Sequence, residues 1–137
     1  MVLDEWAALP DAIECSLREG VTRRETVHHL LEASLVASNM IVAALGTDEY
    51  EFDWAWLVPD EKWRARLGYD QIDEQPALEL FRALTKYISA LLTRDPALIQ
   101  RRIRLRDSTS TEPYAISIED ILSRELDHAR EHLALAP

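Results

Sequence analysis

The sequence predicts an all-α protein, a bundle of four helices in a single domain over residues 1–137. Apolar residues recur at helical spacing in four separate segments, and the chain holds only 3 glycines. Only one short stretch alternates as a strand would, Ile103-Arg104-Leu105-Arg106, and it has no evident partner. We therefore expect no sheet. A chain of this length buries roughly two thirds of its unfolded surface, so one core is stable without a disulfide or a structural metal.

The first two helices are predicted over about Leu3 to Leu17, with a break or kink at Pro10, and about Arg23 to Leu45. Both carry apolar residues at intervals of three and four. Thr22 stands three residues before Glu25, the arrangement of a capping box that satisfies free amide groups at a helix start. We expect the second, longer helix to begin there.

A long connection follows, from Thr47 to Pro76, with 9 acidic and 3 basic residues. Its periodicity is poor, and we expect an ordered segment with one short helix near Asp60 to Leu67. Three of the four tryptophans lie here and are expected to pack as a lid over one end of the core: Trp54, Trp56 and Trp63. Connections this long inside a domain usually carry a function or form a crossover.

The remaining two helices are predicted over Ala77 to Leu92 and about Ile118 to Leu135. Ser117 precedes the last helix as a capping residue, and Glu119 and Asp120 suit the positive end of its dipole.

The charge pattern excludes several classes of function. The net charge is -10, and the first 75 residues hold 16 acidic against 6 basic side chains. Such a surface repels phosphate backbones, so nucleic acid is not an expected partner. The start lacks a basic signal-peptide region, and no apolar run reaches the roughly 18 residues of a membrane span. With a single cysteine, Cys15, we expect a soluble, cytoplasmic protein without disulfides.

The histidines are the strongest functional signal, because all four lie on two predicted helices. His128 and His132 are four residues apart, so both rings face one side of the last helix and can reach one metal ion. Glu125, one turn earlier, is a candidate further ligand or an acceptor for a ring N–H. Either His28 or His29, from across the bundle, would complete a three-histidine site with positions left open for water or substrate.

Two other motifs use the same residues. His128 to His132 reads H-x-x-E-H, a zinc-protease motif with Glu131 as the base, but that motif needs a third ligand downstream and the chain ends at Pro137. The stronger rival is a di-iron carboxylate bundle built on Glu25-x-x-His28 and Glu125-x-x-His128. It needs one glutamate from each of the other helices, and the candidates are Glu14, Glu19 and Glu79.

The order of these segments resembles the DinB-like superfamily. The residues that carry the resemblance are Val27-His28-His29-Leu30-Leu31-Glu32-Ala33 and, near the C-terminal end, Ile118-Glu119-Asp120-Ile121-Leu122 leading into His128-x-x-x-His132. That superfamily includes YfiT-like hydrolases and thiol-dependent transferases. The resemblance implies an up-down-down-up bundle, a homodimer, and three histidines that hold nickel, zinc or iron.

Carried over residue by residue, the resemblance assigns the metal to His29, His128 and His132, since the first ligand of the family is typically followed by leucine. The ion would activate water or a low-molecular-weight thiol, with Glu125 or Glu131 as proton acceptor. The competing hypothesis is a non-enzymatic dimeric binding or stress-associated module, whose histidines are packed polar residues without a metal.

Overall fold

The four segments with helical spacing are helical in the structure, a computed structural model that describes residues 1–18, 20–48 and 50–135. Within these residues the helices are α1 (Val2–Ala7), α2 (Leu9–Ser16), α3 (Val21–Gly46), α4 (Glu61–Leu67), α5 (Gln75–Leu92) and α6 (Ile118–Leu135). The strands are β1 (Glu51–Asp53), β2 (Arg102–Arg106) and β3 (Tyr114–Ser117). Two short 3-10 helices are also present, Tyr69–Gln71 and Pro96–Gln100.

The predicted bundle is present, because α1, α3, α5 and α6 enclose the core. Helix α3 packs against both α5 and α6, and α1 packs against the same two helices. Trp6 and Phe81 are fully buried between them, and Ile121 is nearly so. This packing brings α3 and α6, the two helices that carry the histidines, side by side.

The start of the bundle differs from the prediction in two ways. The predicted break in the first helix is present but lies at Ala8, where two short helices meet, and Pro10 lies in the first turn of α2, where its missing N–H is not needed. The capping box at Thr22 is wrong, since α3 begins at Val21 and Thr22 lies inside its first turn. Gly20 precedes the helix with φ 135°, a conformation that favours glycine, and α3 therefore begins two residues before the predicted start at Arg23.

The expectation of no sheet is wrong, so the protein is mostly helical rather than all-α. The three strands form a sheet in the order β1-β2-β3, with β1 parallel to β2 and β2 antiparallel to β3. Ile103 of β2 pairs with Ile116 of β3, and both side chains are buried against the helices. The two partner strands have only three and four residues, too short to show alternation.

The long connection contains the predicted short helix and is fastened to α3. Asp60 caps the start of helix α4, and its carboxylate accepts a hydrogen bond from the Trp63 amide at 2.9 Å. The Trp63 indole donates a hydrogen bond to Glu32 of α3 at 3.1 Å. Arg24 of α3 donates to the carbonyl of Asp70 at 2.9 Å. These contacts place α4 beside the part of α3 that carries the histidines.

Helix α3 is unusually apolar. It has 26 residues and is long and apolar enough to cross a membrane. Half of its most apolar window is nevertheless buried by the other helices, as is typical of the central helix of a soluble protein.

Candidate metal centre

Helix α6 fixes two of the candidate ligands. The hydroxyl of Ser117 accepts a hydrogen bond from the Asp120 amide at 3.0 Å, and the Asp120 carboxylate accepts one from the Ser117 amide at 3.3 Å. This reciprocal cap confirms the predicted start of the helix. One turn of helix separates His128 from His132, and their Nε2 atoms lie 3.1 Å apart.

Helix α3 supplies the third histidine. His29 is buried, and its Nε2 atom lies 3.0 Å from Nε2 of His128. One ring nitrogen from each of the three histidines falls within 4.8 Å of the other two. Among the described residues, His29, His128 and His132 are the group whose donor atoms converge in this way.

The neighbouring residue His28 has a different role. Its ring stacks on Tyr69 with the centroids 5.3 Å apart, and its Nε2 atom is 3.1 Å from the carbonyl oxygen of Ile72. Adjacent residues on a helix point about 100° apart, so only one member of the doublet can face α6. His29 faces α6, whereas His28 helps to hold the long connection on α3.

The histidine cluster is electrically neutral at pH 7. Burial lowers the pKa of His29 to about 4, with further lowering by the positive charges of His128, His132 and Arg64. Burial likewise lowers the pKa of His128 and of His132. Neutral imidazoles present a lone pair, which is the form that binds a metal.

The geometry suits a cation better than hydrogen bonding among the rings. Each neutral imidazole has one donor and one acceptor nitrogen, and Nε2 of His128 faces two other nitrogens at once. Two ligand nitrogens at about 2.1 Å from an ion are about 3.0 Å apart when they subtend 90°, and about 3.4 Å apart in tetrahedral geometry. The two observed spacings to Nε2 of His128, 3.0 and 3.1 Å, are short enough for these nitrogens to share one ion.

One feature of the cluster departs from the usual metal site. The Nδ1 atom of His29 is buried without a hydrogen-bond partner in the described part of the chain. Metal-bound imidazoles usually donate this second ring N–H to an acceptor, which fixes the ring and raises its basicity. His29 is therefore held by packing.

Two carboxylates flank the cluster without joining it. Glu125 accepts a hydrogen bond from the Ser34 hydroxyl at 3.3 Å, and burial raises its pKa to about 7, offset in part by that bond. Glu131 is exposed, and its negative charge raises the pKa of both His128 and His132 against the effect of burial. Neither carboxylate is among the converging donor atoms.

The structure does not bring together the residues of the di-iron alternative. His28 is occupied by Tyr69 and Ile72, and Glu25 is exposed. Of the other candidate glutamates, Glu14 forms an ion pair with Arg82, Glu79 is exposed, and Glu19 lies outside the described residues. The H-x-x-E-H alternative fails as well, because the third histidine lies upstream of the motif.

Arg64 is a residue of this region that spacing did not reveal. It lies on α4, and its charge acts on both His29 and His132. Ser34, the partner of Glu125, was missed in the same way. The one indication in the sequence is that Arg64 follows Trp63 on the predicted short helix. The tryptophans of that connection were expected to pack over one end of the core.

Comparison with known proteins identifies the fold. The chain is similar to the structure of YfiT from Bacillus subtilis, described as a probable metal-dependent hydrolase with an unusual four-helix bundle topology. The TM-score is 0.72 at 20% sequence identity, over 97% of this chain and 80% of YfiT. No family model matches the chain, and no curated protein does. At this identity the likeness shows a YfiT-like fold, which agrees with the DinB-like resemblance.

Proposed function

We propose that this protein is a metal-dependent hydrolase in which His29, His128 and His132 hold one divalent ion. The observation that carries the proposal is the convergence of three neutral imidazoles from two helices. The Nε2 atom of His128 lies 3.0 Å from that of His29, which is 99 residues away in the chain, and 3.1 Å from that of His132. The YfiT-like fold supports it, because YfiT is described as a probable metal-dependent hydrolase. Three imidazole nitrogens suit nickel, zinc or iron, and metal loading distinguishes among these ions.

The ion would supply a positive charge that acidifies a water or a low-molecular-weight thiol, and the chain would supply the proton acceptor. Glu125 is the stronger candidate for that role. It lies one turn before His128, and a pKa of about 7 suits proton transfer near neutral pH. Its Oε2 atom accepts from Ser34, which leaves Oε1 to take up the proton. Glu131 is exposed, and its role would instead be electrostatic, since its negative charge raises the pKa of His128 and His132.

Metal content tests the proposal, and the histidine doublet provides a matched control. The metal-free protein is loaded separately with nickel, iron and zinc, and bound metal is measured by elemental analysis. We expect about one ion per chain in the wild type and in His28→Ala, and loss of binding in His29→Ala and in the double variant His128→Ala/His132→Ala. Circular dichroism of each variant checks folding.

The outcomes separate the remaining hypotheses. Two ions per chain, lost in His28→Ala, would favour the di-iron alternative. No metal in the wild type, or equal metal in all variants, would overturn the proposal and favour the non-enzymatic binding module. If one ion is bound, assays with ester and amide substrates, with and without a low-molecular-weight thiol, distinguish hydrolysis from thiol transfer.

We also propose that the protein forms a homodimer through the outer face of α3. Leu35 and Val42 are seven residues apart on this helix, so they share one face, and they are 36% and 43% exposed. An apolar helix of this kind is stable when both sides are covered. Light scattering after size exclusion should give a dimer that Val42→Glu dissociates, whereas Leu80→Glu on exposed α5 surface leaves it intact.

A further inference from the structure

A cleft of about 310 Å³ lies along helix α4, in the long connection between α3 and α5. Its wall is formed by Val58, Asp60, Lys62, Trp63, Arg66 and Leu67. None of these residues is a histidine, so the cleft is separate from the candidate metal centre. Its volume lies at the lower end of the range for small-molecule sites, about 300–1,000 Å³.

The apolar part of this cleft is unusually exposed. Val58 is 51% exposed and Leu67 is 45% exposed. Trp56, whose ring centroid lies 6.4 Å from that of Trp63, is 62% exposed. Trp63 and Leu67 are four residues apart, so they form one stripe along α4. Large apolar side chains grouped at a surface in this way are typical of a binding site.

A neighbouring stripe of α4 is cationic. Lys62 and Arg66 are also four residues apart, both are exposed, and neither forms an ion pair with the residues that the structure describes. Asp60 is the acidic residue of the wall, and its carboxylate already accepts the hydrogen bond from the Trp63 amide. Glu61 lines a different cavity. The local charge of the cleft is therefore positive, although the whole chain carries a net charge of -10.

We propose that this cleft binds an amphipathic anion, a small molecule with an apolar chain and one carboxylate, such as a medium-chain fatty acid. The chain packs against Val58, Trp63 and Leu67. The carboxylate lies between Lys62 and Arg66, and the planar fork of the arginine suits its two oxygens. Burial of the chain supplies most of the affinity, and the two positive charges select an anion over a neutral compound of the same shape.

Two other occupants fit this cleft less well. In a symmetric contact, a second copy of the chain would bring its own Lys62 and Arg66 to the same place, and the like charges would repel each other. An anionic membrane is repelled by the net charge of -10. A small molecule inside the cleft interacts chiefly with the two cations beside it, because salt screens the charges farther away.

The charged part of the cleft is tested with octanoate and with octanol, which has the same chain length and no charge. Binding is followed by tryptophan fluorescence. We expect the double variant Lys62→Gln/Arg66→Gln to bind octanoate about threefold to tenfold more weakly and octanol unchanged, since two exposed charge contacts are lost. Lys86→Gln/Arg102→Gln is the matched control, with an exposed lysine and an exposed arginine outside the cleft.

The apolar part is tested by Leu67→Ser. This variant should bind both octanoate and octanol about threefold more weakly, because both ligands bury the same chain there. Leu80→Ser on α5 is its control, since Leu80 is 46% exposed and Leu67 is 45% exposed. Neither substitution removes a buried side chain, so circular dichroism should show unchanged folding.

Selective loss of octanoate affinity in Lys62→Gln/Arg66→Gln, together with loss of both affinities in Leu67→Ser, would establish the site. Equal affinity of the wild type for octanoate and octanol, or binding of neither, would overturn it. Binding only to phosphatidylglycerol vesicles, measured by cosedimentation, would also overturn it in favour of a membrane surface. A change of oligomeric state in Leu67→Ser, measured by light scattering, would instead make the cleft a contact between copies of the chain.

Discussion

The Nε2 atom of His29 lies 3.0 Å from the Nε2 atom of His128, although the two residues are 99 positions apart. Packing of α3 against α6 alone creates this pair. Burial lowers the pKa of both residues, that of His29 to about 4, so both rings are neutral at pH 7.

Metal affinity should therefore resist mild acid. A histidine with its ordinary pKa of about 6.5 already loses half of its lone pairs at that pH. Since burial lowers the pKa of all three ligands, and that of His29 to about 4, we expect the loss of nickel affinity on acidification to begin below pH 6.5 and to continue toward pH 4. Titration with a competing chelator across this range measures it. A loss of affinity centred near pH 6.5 would contradict the pKa values of the buried cluster.

The spacing of His128 and His132 in the sequence predicts that both face one side of α6, but it does not predict which histidine of α3 meets them. His128 and His132 share one helix, so their separation follows from helix geometry alone. The choice between His28 and His29 depends on how α3 is rotated about its own axis. Apolar residues lie almost all round that helix, so their pattern does not define the rotation. The resemblance to a family, rather than the periodicity, favoured His29.

The sheet was missed for a different physical reason. Strand β1 pairs in parallel with β2 across more than forty residues of chain, and no local turn signals that pairing. The stretch Ile103 to Arg106 does alternate, but a single alternating run predicts a strand only when its partner is visible. Short strands take their conformation from the packing of Ile103 and Ile116 on the helices.

The sheet should contribute measurably to stability through this pair. Ile103 is 2% exposed, so Ile103→Ala should lower the free energy of unfolding by about 2–5 kcal/mol, through lost burial and the cavity left behind. Arg102→Ala, at an exposed position of the same strand, should change it by less than about 0.5 kcal/mol. Urea denaturation followed by circular dichroism compares the two. Equal costs would mean that the sheet is not part of the cooperative core.

The hydrogen bond from Trp63 to Glu32 should control the order of α4. Trp63→Phe keeps an aromatic ring but removes the indole N–H, and we expect a loss of about 1 kcal/mol. Amide hydrogen exchange over residues 61–67 should become faster, while exchange in α3 stays unchanged. Trp56→Phe is the control, because Trp56 is 62% exposed on the same connection. Similar exchange rates in both variants would show that the bond does not hold the helix.

Glu125 and His29 should impose opposite pH dependences on the stability of the metal-free protein. The pKa of Glu125 rises from 4.5 to about 7 on folding, so the folded state binds the extra proton, and stability is lost as pH rises from 4.5 through 7. The pKa of His29 falls from 6.5 to about 4, so the unfolded state binds the extra proton, and stability is lost as pH falls from 6.5 to 4. The lowered pKa values of His128 and His132 act in the same direction as that of His29, and Glu125 opposes all three.

Glu125→Gln should separate them. Glutamine keeps an acceptor for the Ser34 hydroxyl and carries no charge, so the variant should be more stable than the wild type at pH 8, by about 1–3 kcal/mol, with little difference at pH 4.5. Its stability should then fall toward acid pH because the His29 effect is no longer opposed. Urea denaturation in the presence of a chelator at pH 4.5, 6 and 8 measures this, with Glu131→Gln as the control at an exposed position. A difference from the wild type that is the same at every pH would show that the Glu125 carboxyl is not protonated in the folded protein at neutral pH.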